Sequence, residues 1–163
     1  MSPEDISERL FAKIANFLSY RARTKKEVLG RLARYLAKTK YSPEEKEEII
    51  ASIVLRLEEM DLLNDEAFVQ TYIRQKSESK TPLSNKAVHW KLAGLGISSD
   101  LLAKYLSDKS GGDEVVRALK MADKKMKSLA SLPLKERKAK LYRFLAGKGF
   151  SSEAIKAGLT RQV

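Results

Sequence analysis

The sequence predicts an all-α protein built from tandem three-helix repeats, and three observations carry this prediction. Helix-start signals recur along the chain, with Ser, Thr or Asn placed before an acidic turn and an apolar stripe of helical spacing. No segment alternates between apolar and polar residues within bounds set by hairpin turns, so no strand is predicted. A glycine-containing pattern returns after about fifty residues, which is a period typical of helical repeats.

The first three helices are each predicted from a local cap. Residues 2–5, Ser-Pro-Glu-Asp, open the first helix, which should end near Tyr20. Residues 24–27, Thr-Lys-Lys-Glu, and 42–45, Ser-Pro-Glu-Glu, are capping boxes that open the second and third helices. The predicted inward residues are Ile6, Leu10, Ile14, Phe17, Leu18, Val28, Leu32, Tyr35, Leu36, Ile49, Ile50, Ile53, Val54 and Leu57.

The turn between the third and fourth helices is the most distinctive stretch. Asp61 lies where the third helix must stop, and Asp can adopt the left-handed conformation that usually requires Gly. Asn64 should cap the fourth helix, because acidic residues follow in its first turn. Leu62 and Leu63 are expected to be buried in this turn. The fourth helix should run to about Ser79, with Phe68, Tyr72 and Ile73 directed inward.

Five further helices are predicted after a linker at residues 80–84. Pro82 disfavours helix in the residue before it, and Gly111-Gly112 is the clearest later break. The fifth helix closes at Gly94 to Gly96, the seventh runs from Asp113 to about Leu129, and the eighth starts at Pro133. The sixth and ninth helices begin at Ser-rich caps around 98–99 and 151–152. Their expected inward residues are Val88, Leu92, Leu101, Leu102, Tyr105, Leu106, Val115, Leu119, Ala122, Met126, Leu129, Leu134, Leu141, Phe144, Leu145, Ile155 and Leu159.

An internal repeat groups these helices in threes. Residues 91–100 align with residues 144–153, since Leu, Ala, two Gly and two Ser coincide. The shared device is a helix closed by Gly, one apolar residue and then a Ser cap. A longer version lies at residues 34–44. We therefore predict three units at 1–62, 63–110 and 111–163, in an elongated or curved molecule, because such arrays bury their faces mainly against neighbouring units.

Residues 57–74 carry a resemblance to a known family. They read Leu-Glu-Glu-Met-Asp-Leu-Leu-Asn-Asp-Glu-Ala-Phe-Val-Gln-Thr-Tyr-Ile-Arg. This pattern resembles the central motif of the RecX family, bacterial regulators of the RecA-type recombinase. The family usually has Gly where this chain has Asp61 and Asp where it has Asn64, and both changes keep the turn and the cap. Where the family often has a Gly-rich stretch, residues 80–84 read Lys-Thr-Pro-Leu-Ser.

The resemblance implies both an architecture and a function. The family is built from tandem three-helix repeats, so the resemblance extends over nearly the whole chain. It implies a non-enzymatic regulator that binds the recombinase filament on single-stranded DNA, lies in the groove of that filament and restrains strand exchange and ATP turnover during recombination and DNA repair. The implied partner is the RecA-type recombinase filament, and we expect the regulator itself to be a monomer.

The charge distribution independently favours an anionic partner. The net charge is +11, and basic blocks at 9–40 and 67–163 flank an acidic stretch at 41–66. Such a chain should be drawn to single- and double-stranded DNA, although a merely solvated surface is the alternative. Lysine-rich faces hold phosphates without specifying bases. The candidate nucleic-acid or filament-binding residues are Arg21, Arg23, Lys25, Lys26, Arg31, Arg34, Arg74, Arg117, Lys120, Lys124, Lys127, Lys135, Lys138, Lys140 and Arg143.

The seventh helix presents the most regular of these cations. Arg117, Lys120, Lys124 and Lys127 recur at spacings of three, four and three, beside the predicted apolar stripe. At about 1.5 Å of rise per residue this row is about 15 Å long and should span several phosphates. Trp90 is expected in the core or as an interface anchor, and base stacking is a further alternative.

Other function classes find little support in the residues. There is no Cys, which excludes disulfides and thiolate metal sites, and His89 is the only His. The Glu residues of the third helix are interpreted as a solvated face, and the Gly-x-Gly segments follow helices instead of strands, unlike phosphate loops. We therefore expect no catalytic centre, no metal and no cofactor.

The remaining expectations concern location and alternative functions. The N-terminus is acidic and polar and no apolar run has spanning length, so a soluble cytoplasmic protein without membrane contact is expected. The alternative function is a stand-alone basic nucleic-acid-binding helical module without a recombinase partner. A pure protein-interaction solenoid is a third hypothesis, which predicts little salt dependence of binding.

Overall fold

The computed structural model describes residues 2–107 and 111–162, and these ranges form nine α-helices and no strand. This confirms the predicted all-α class. The predicted break at Gly111-Gly112 is wrong for these two residues, because α7 begins at Gly111 and not at Asp113; residues 108–110 lie outside the described residues. The helices are α1 (Pro3–Tyr20), α2 (Lys25–Leu36), α3 (Pro43–Glu59), α4 (Asp65–Glu78), α5 (Asn85–Gly94), α6 (Ser99–Leu106), α7 (Gly111–Ser128), α8 (Leu134–Gly147) and α9 (Ser152–Arg161).

The two predicted capping boxes at Thr24 and Ser42 are confirmed, and the predicted Ser2 cap of α1 also forms a capping box. The hydroxyls of Ser2, Thr24 and Ser42 accept hydrogen bonds from the third amide of α1, α2 and α3, at 3.1, 3.4 and 3.2 Å. In each case the carboxylate at that third position accepts from the backbone N–H of the cap. These bonds satisfy amides that a helix start otherwise leaves without a partner.

The turn after α3 has the predicted chemistry with one exception. Asp61 adopts φ 55°, and the Asn64 side chain accepts from the amide of Ala67 at 2.9 Å. Leu63 is buried as expected, but Leu62 is 43% exposed, so that part of the prediction is wrong. Both leucine amides donate to the carbonyl oxygen of Leu57, and so tight a turn lets only one of two neighbouring side chains reach the core.

The first of two compact units contains the chain up to residue 68 together with residues 95–97. Helices α1, α2 and α3 pack around one apolar core, and α1 lies against both of the others. Tyr35, Tyr41 and Ile50 cover this core at its edge. The buried side chains are Leu10, Ile14, Val28, Leu32, Leu36, Ile49, Ile53, Val54, Leu57 and Leu63.

The second compact unit contains residues 69–94 and the chain from residue 98 onward. Helices α7, α8 and α9 pack against one another, and α5 packs against α6. The core between α7, α8 and α9 consists of Ala118, Met121, Ala122, Met126, Leu141, Leu145, Phe150, Ala154 and Ile155. The boundaries of the three-helix repeats remain a prediction.

Two residues of this unit that the sequence predicts to be inward are exposed instead. Trp90 is 77% exposed, so the core alternative is wrong, whereas an interface anchor and base stacking remain predictions. Val88 and Leu92 are buried one helical turn apart, and Trp90 lies midway between them on the opposite side of α5. Leu134 was also expected to be inward, but it is exposed in the first turn of α8.

A buried hydroxyl joins the start of one helix to a later glycine turn, and this junction occurs twice. Thr24, the cap of α2, donates its hydroxyl to the carbonyl oxygen of Leu95 at 2.7 Å, just before Gly96. Ser84 accepts from the amide of Ala87 at the start of α5 and donates to the carbonyl oxygen of Lys148 at 2.8 Å. Residues 80–84 were predicted only as a linker, but Ser84 within them caps α5.

The residues around the two hydroxyls correspond as well. Gly96 and Gly149 have φ values of 83° and 85°, in the region that favours glycine. The amide after each cap donates to a carboxylate, from Lys25 to Asp65 at 2.8 Å and from Asn85 to Glu114 at 2.9 Å. The internal repeat of the sequence is thus a repeated buried junction in the structure.

Replacing Gly149 with Ala should destabilise the protein. A side chain at that φ costs about 1–2 kcal/mol, and the new Cβ would lie 3.1 Å from the Ser84 hydroxyl. The matched control is Gly147→Ala at the end of α8, where a Cβ meets nothing within 4 Å. Urea unfolding followed by circular dichroism should show a loss for Gly149→Ala only; equal stabilities would contradict the junction.

Glu27→Gln should remove a pH-dependent part of the stability. Burial acts to raise the pKa of Glu27, but hydrogen bonds from the Thr24 backbone and from Arg21 hold that pKa below its ordinary value of 4.5. The charged carboxylate therefore stabilises the folded state fully above pH 4.5, and this contribution is lost as pH falls through the lower folded pKa.

We expect Glu27→Gln to cost about 1 kcal/mol at pH 7, because charge-assisted bonds to the carboxylate are weakened. The difference between the two proteins should vanish as the pH is lowered below 4.5. Denaturant unfolding at a series of pH values measures this difference. A difference that grew on acidification would have the wrong sign.

Candidate nucleic-acid interface

Arg117 does not belong to the exposed row of cations in which the sequence analysis placed it. Its side chain is 2% exposed, and its guanidinium donates to the carbonyl oxygens of Leu83 and Asp113 and to the side-chain oxygen of Asn85. Burial lowers the pKa of Arg117, and the charge of the nearby Glu114 opposes this effect. Arg117 therefore fastens the start of α5 to α7 and is not presented to solvent.

The exposed cations of α7 begin one turn later. Lys120, Lys124 and Lys127 are exposed, and we call these three residues the α7 cationic face. They extend over about 10 Å of helix, which is long enough to follow neighbouring phosphates. Lys120 also donates to the carbonyl oxygen of Ser79 at 2.8 Å and so caps the end of α4.

The predicted cations of α8 lie in the same compact unit as the α7 cationic face. Lys135, Lys140 and Arg143 are exposed, and Lys138 is half-buried. We call these four residues the α8 cationic face. Arg74 is exposed on α4 in the same unit.

The six predicted cations at the N-terminus differ from these lysines because most of them have internal partners. Arg23 and Arg31 lie half-buried over the ring of Phe17, with their guanidinium carbons 4.1 and 4.9 Å from its centroid. Arg21 pairs with Glu27 at 2.6 Å, and Lys25 pairs with Glu58 at 2.9 Å. Lys26 and Arg34 are exposed. The structure therefore uses this block largely to hold α1, α2 and α3 together.

A cavity beside the α7 cationic face brings in two lysines that the sequence analysis had left out. The cavity has a volume of about 460 Å³. Lys124, Lys125 and Lys148 line it together with Pro82, Leu83, Met121 and Phe144. Lys125 was outside the regular spacing, and Lys148 lies between the glycines of the repeat, so neither carried a sequence signal. Their proximity depends on how α7 packs against α8.

Metal-binding clusters and membrane-spanning helices are absent from the described part of the chain. Within the described ranges, no group of three or more His, Cys, Asp or Glu residues is placed to hold a metal ion. His89 is exposed on α5. No helix among those described is long and apolar enough to cross a membrane.

Together, the fold and these surfaces define a basic helical-repeat protein with rows of exposed lysines. Comparison with known proteins gives the family. Residues 113–159 match the family model described as RecX, third three-helix domain. The regulatory protein RecX of Bacillus subtilis (strain 168) is 32% identical over 151 residues, covering 91% of this chain and 53% of the relative. RecX of Enterococcus faecalis is 32% identical over 146 residues, covering 88% of this chain and 51% of the relative.

Solved structures agree on the fold. The crystal structure of RecX from Lactobacillus salivarius matches with a TM-score of 0.77 and 23% identity, covering 98% of this chain and 97% of that one. A second crystal structure, of a regulatory protein RecX, matches with a TM-score of 0.70 and 21% identity, covering 92% and 71% of the two chains. The chain belongs to the RecX family, and it spans about half the length of the curated relatives it matches.

The structural role of Arg117 can be separated from a binding role by stability measurements. Arg117→Met keeps much of the side-chain volume but leaves Glu114 and the carbonyl oxygen of Leu83 without the guanidinium. We expect a loss of about 2–4 kcal/mol in the free energy of unfolding, because buried polar groups lose a charged partner. Lys127→Met on the same helix should change stability by less than about 0.5 kcal/mol. Equal effects in urea unfolding would contradict the placement of Arg117.

Proposed function

We propose that this chain is a cytoplasmic, non-enzymatic regulator of a RecA-type recombinase, acting in recombination and DNA repair. It binds the filament that the recombinase forms on single-stranded DNA, lies in the groove of that filament and restrains strand exchange and ATP turnover. Membership of a family of regulatory proteins supports the regulatory role. The observation that carries the DNA part of the proposal is the α7 cationic face, whose three lysines are exposed.

The type of cation on this face fits a phosphate partner. Lysine is a flexible point charge that can follow phosphates without fixing their geometry, and such contacts gain affinity by releasing counterions. Several contacts of this kind spread over α7 and α8 would favour a long anionic polymer over a small ligand. The arginines that stack on Phe17 or lie buried serve the fold in the same chain, so the two roles are divided between different residues.

The lysine rows also support the alternative of a stand-alone nucleic-acid-binding module, because phosphates alone would satisfy them. Affinity for naked and for recombinase-coated single strands separates the two functions. The proposed regulator should bind the coated strand more tightly, and its binding should weaken as salt is raised. Equal affinity for the two strands would favour the stand-alone module.

Charge reversal on α7 tests the proposed surface. The variant is Lys124→Glu with Lys127→Glu, and Lys120 is kept because it caps α4. We expect the concentration that halves recombinase ATP turnover on single-stranded DNA to rise about ten-fold, since two phosphate contacts become repulsive.

The matched control is Lys91→Glu with Lys156→Glu, which makes the same change in net charge at exposed positions on α5 and α9. It should shift the same concentration by no more than about two-fold, because only the long-range charge has changed. Equal shifts in the two variants would remove the α7 cationic face from the site. A wild-type protein without effect on turnover at low salt would contradict the proposed function itself.

A further inference from the structure

The cavity between α7 and α8 joins an apolar interior to a cationic rim. Pro82, Leu83 and Met121 line it with Phe144 as an aromatic wall, and Lys124 lies beside them. The Nζ atoms of Lys125 and Lys148 lie 4.9 and 5.8 Å from the centroid of the Phe144 ring. Two positive charges are therefore held next to the same aromatic side chain.

We propose that this cavity binds one nucleotide unit, with its base against Phe144 and its flanking phosphates on Lys124, Lys125 and Lys148. The inference rests on the proposed function, because it names the ligand of the surface to which the α7 cationic face belongs. It adds a recognition of bases that rows of lysine alone do not provide. The base would have to leave its stack to enter, so a single strand is preferred to a duplex.

The size and lining of the cavity fit a base better than a simple anion. Its volume of about 460 Å³ lies in the range of small-molecule sites, which are mostly apolar with a few polar groups. Thr81 and Ser128, whose side chains carry hydroxyl groups, are among the residues that line it. Ser128 donates its hydrogen to the carbonyl oxygen of Lys125 at 2.7 Å, which leaves its oxygen lone pairs to accept from a base N–H.

Two backbone carbonyl oxygens in the walls of the cavity are held by hydrogen bonds from buried side chains. Arg117 holds the carbonyl oxygen of Leu83 on one wall, and Ser84 donates to the carbonyl oxygen of Lys148 on the other. The second bond joins the two walls directly. A preformed site loses little conformational entropy when it binds, which favours affinity for a single base.

The test compares a normal single strand with an abasic strand of equal length, which keeps the phosphates and lacks the bases. Fluorescence anisotropy of the full chain should give about ten-fold tighter binding to the strand with bases, as expected when one base stacks on an aromatic ring. This comparison uses the wild-type protein and needs no variant to fold.

Two variants in α8 test whether the preference for strands with bases arises in the cavity. Phe144→Leu keeps an apolar side chain against the core but removes the aromatic wall, so the preference for bases should fall to about two-fold. Tyr142→Leu removes an exposed aromatic ring from the same helix outside the cavity, and the preference should stay at about ten-fold. Circular dichroism checks that both variants keep their helices.

Competition with a free deoxynucleoside monophosphate decides whether the cavity binds a free nucleotide or a nucleotide within a strand. Displacement of the strand by millimolar mononucleotide, lost in Phe144→Leu, assigns the cavity to a free nucleotide. A base preference without displacement assigns it to a nucleotide within a strand. Both results support the inference.

Two results would overturn it. One is equal wild-type affinity for the normal and the abasic strand together with no binding of the mononucleotide. The other is Phe144-dependent binding of an acidic peptide that contains Trp, without any base preference, which would assign the cavity to a protein partner.

Recombinase ATP turnover is measured separately, so an effect on turnover without base preference rejects the nucleotide site and leaves the proposed function standing. A base preference without an effect on turnover rejects the proposed function alone.

Discussion

Buried hydroxyl groups at the starts of α2 and α5 constrain much of the rest of the structure. A buried hydroxyl needs both of its hydrogen-bonding roles filled, and Thr24 and Ser84 each accept from their own helix and donate to a distant carbonyl oxygen. Those carbonyls precede Gly96 and Gly149, whose left-handed backbone brings the chain close to Lys26 and Lys86. Each junction thereby fixes the start of one helix against a turn far along the chain. In the second unit it also joins the two walls of the cavity.

Arginine and lysine side chains have different roles in this structure. Arginine is planar and more weakly hydrated, so it can stack on a ring or form several bonds inside a protein. Arg23 and Arg31 lie over Phe17, and Arg117 lies buried among carbonyl oxygens. Lysine keeps its hydrated ammonium group at the surface, and it forms most of the exposed rows on α7 and α8. The net charge alone does not distinguish the arginines that pack inside the protein from the lysines that are exposed to an anionic partner.

Features that depend on residues close together in sequence could be predicted, whereas features that depend on distant residues could not. The caps at Ser2, Thr24 and Ser42 and the left-handed turn at Asp61 are local, and all are present. The prediction for Arg117 was wrong because an apolar stripe through Val115 and Leu119 would leave Arg117 exposed. The buried face of α7 is instead turned toward Ala118 and Met121. In this orientation the guanidinium of Arg117 donates to the carbonyl oxygen of Leu83, which is more than thirty residues away in sequence. The cavity likewise depends on packing between helices, which no local pattern encodes.

Amide hydrogen exchange of the full chain tests most directly whether the lysine faces of the second unit are the contact surface. The protein would be compared alone and in the presence of recombinase-coated single-stranded DNA, since exchange reports the opening of each segment. Exchange in residues 80–84 and 120–128 should become slower when the filament is added. Slowing confined to residues 2–68, with the second unit unchanged, would contradict it.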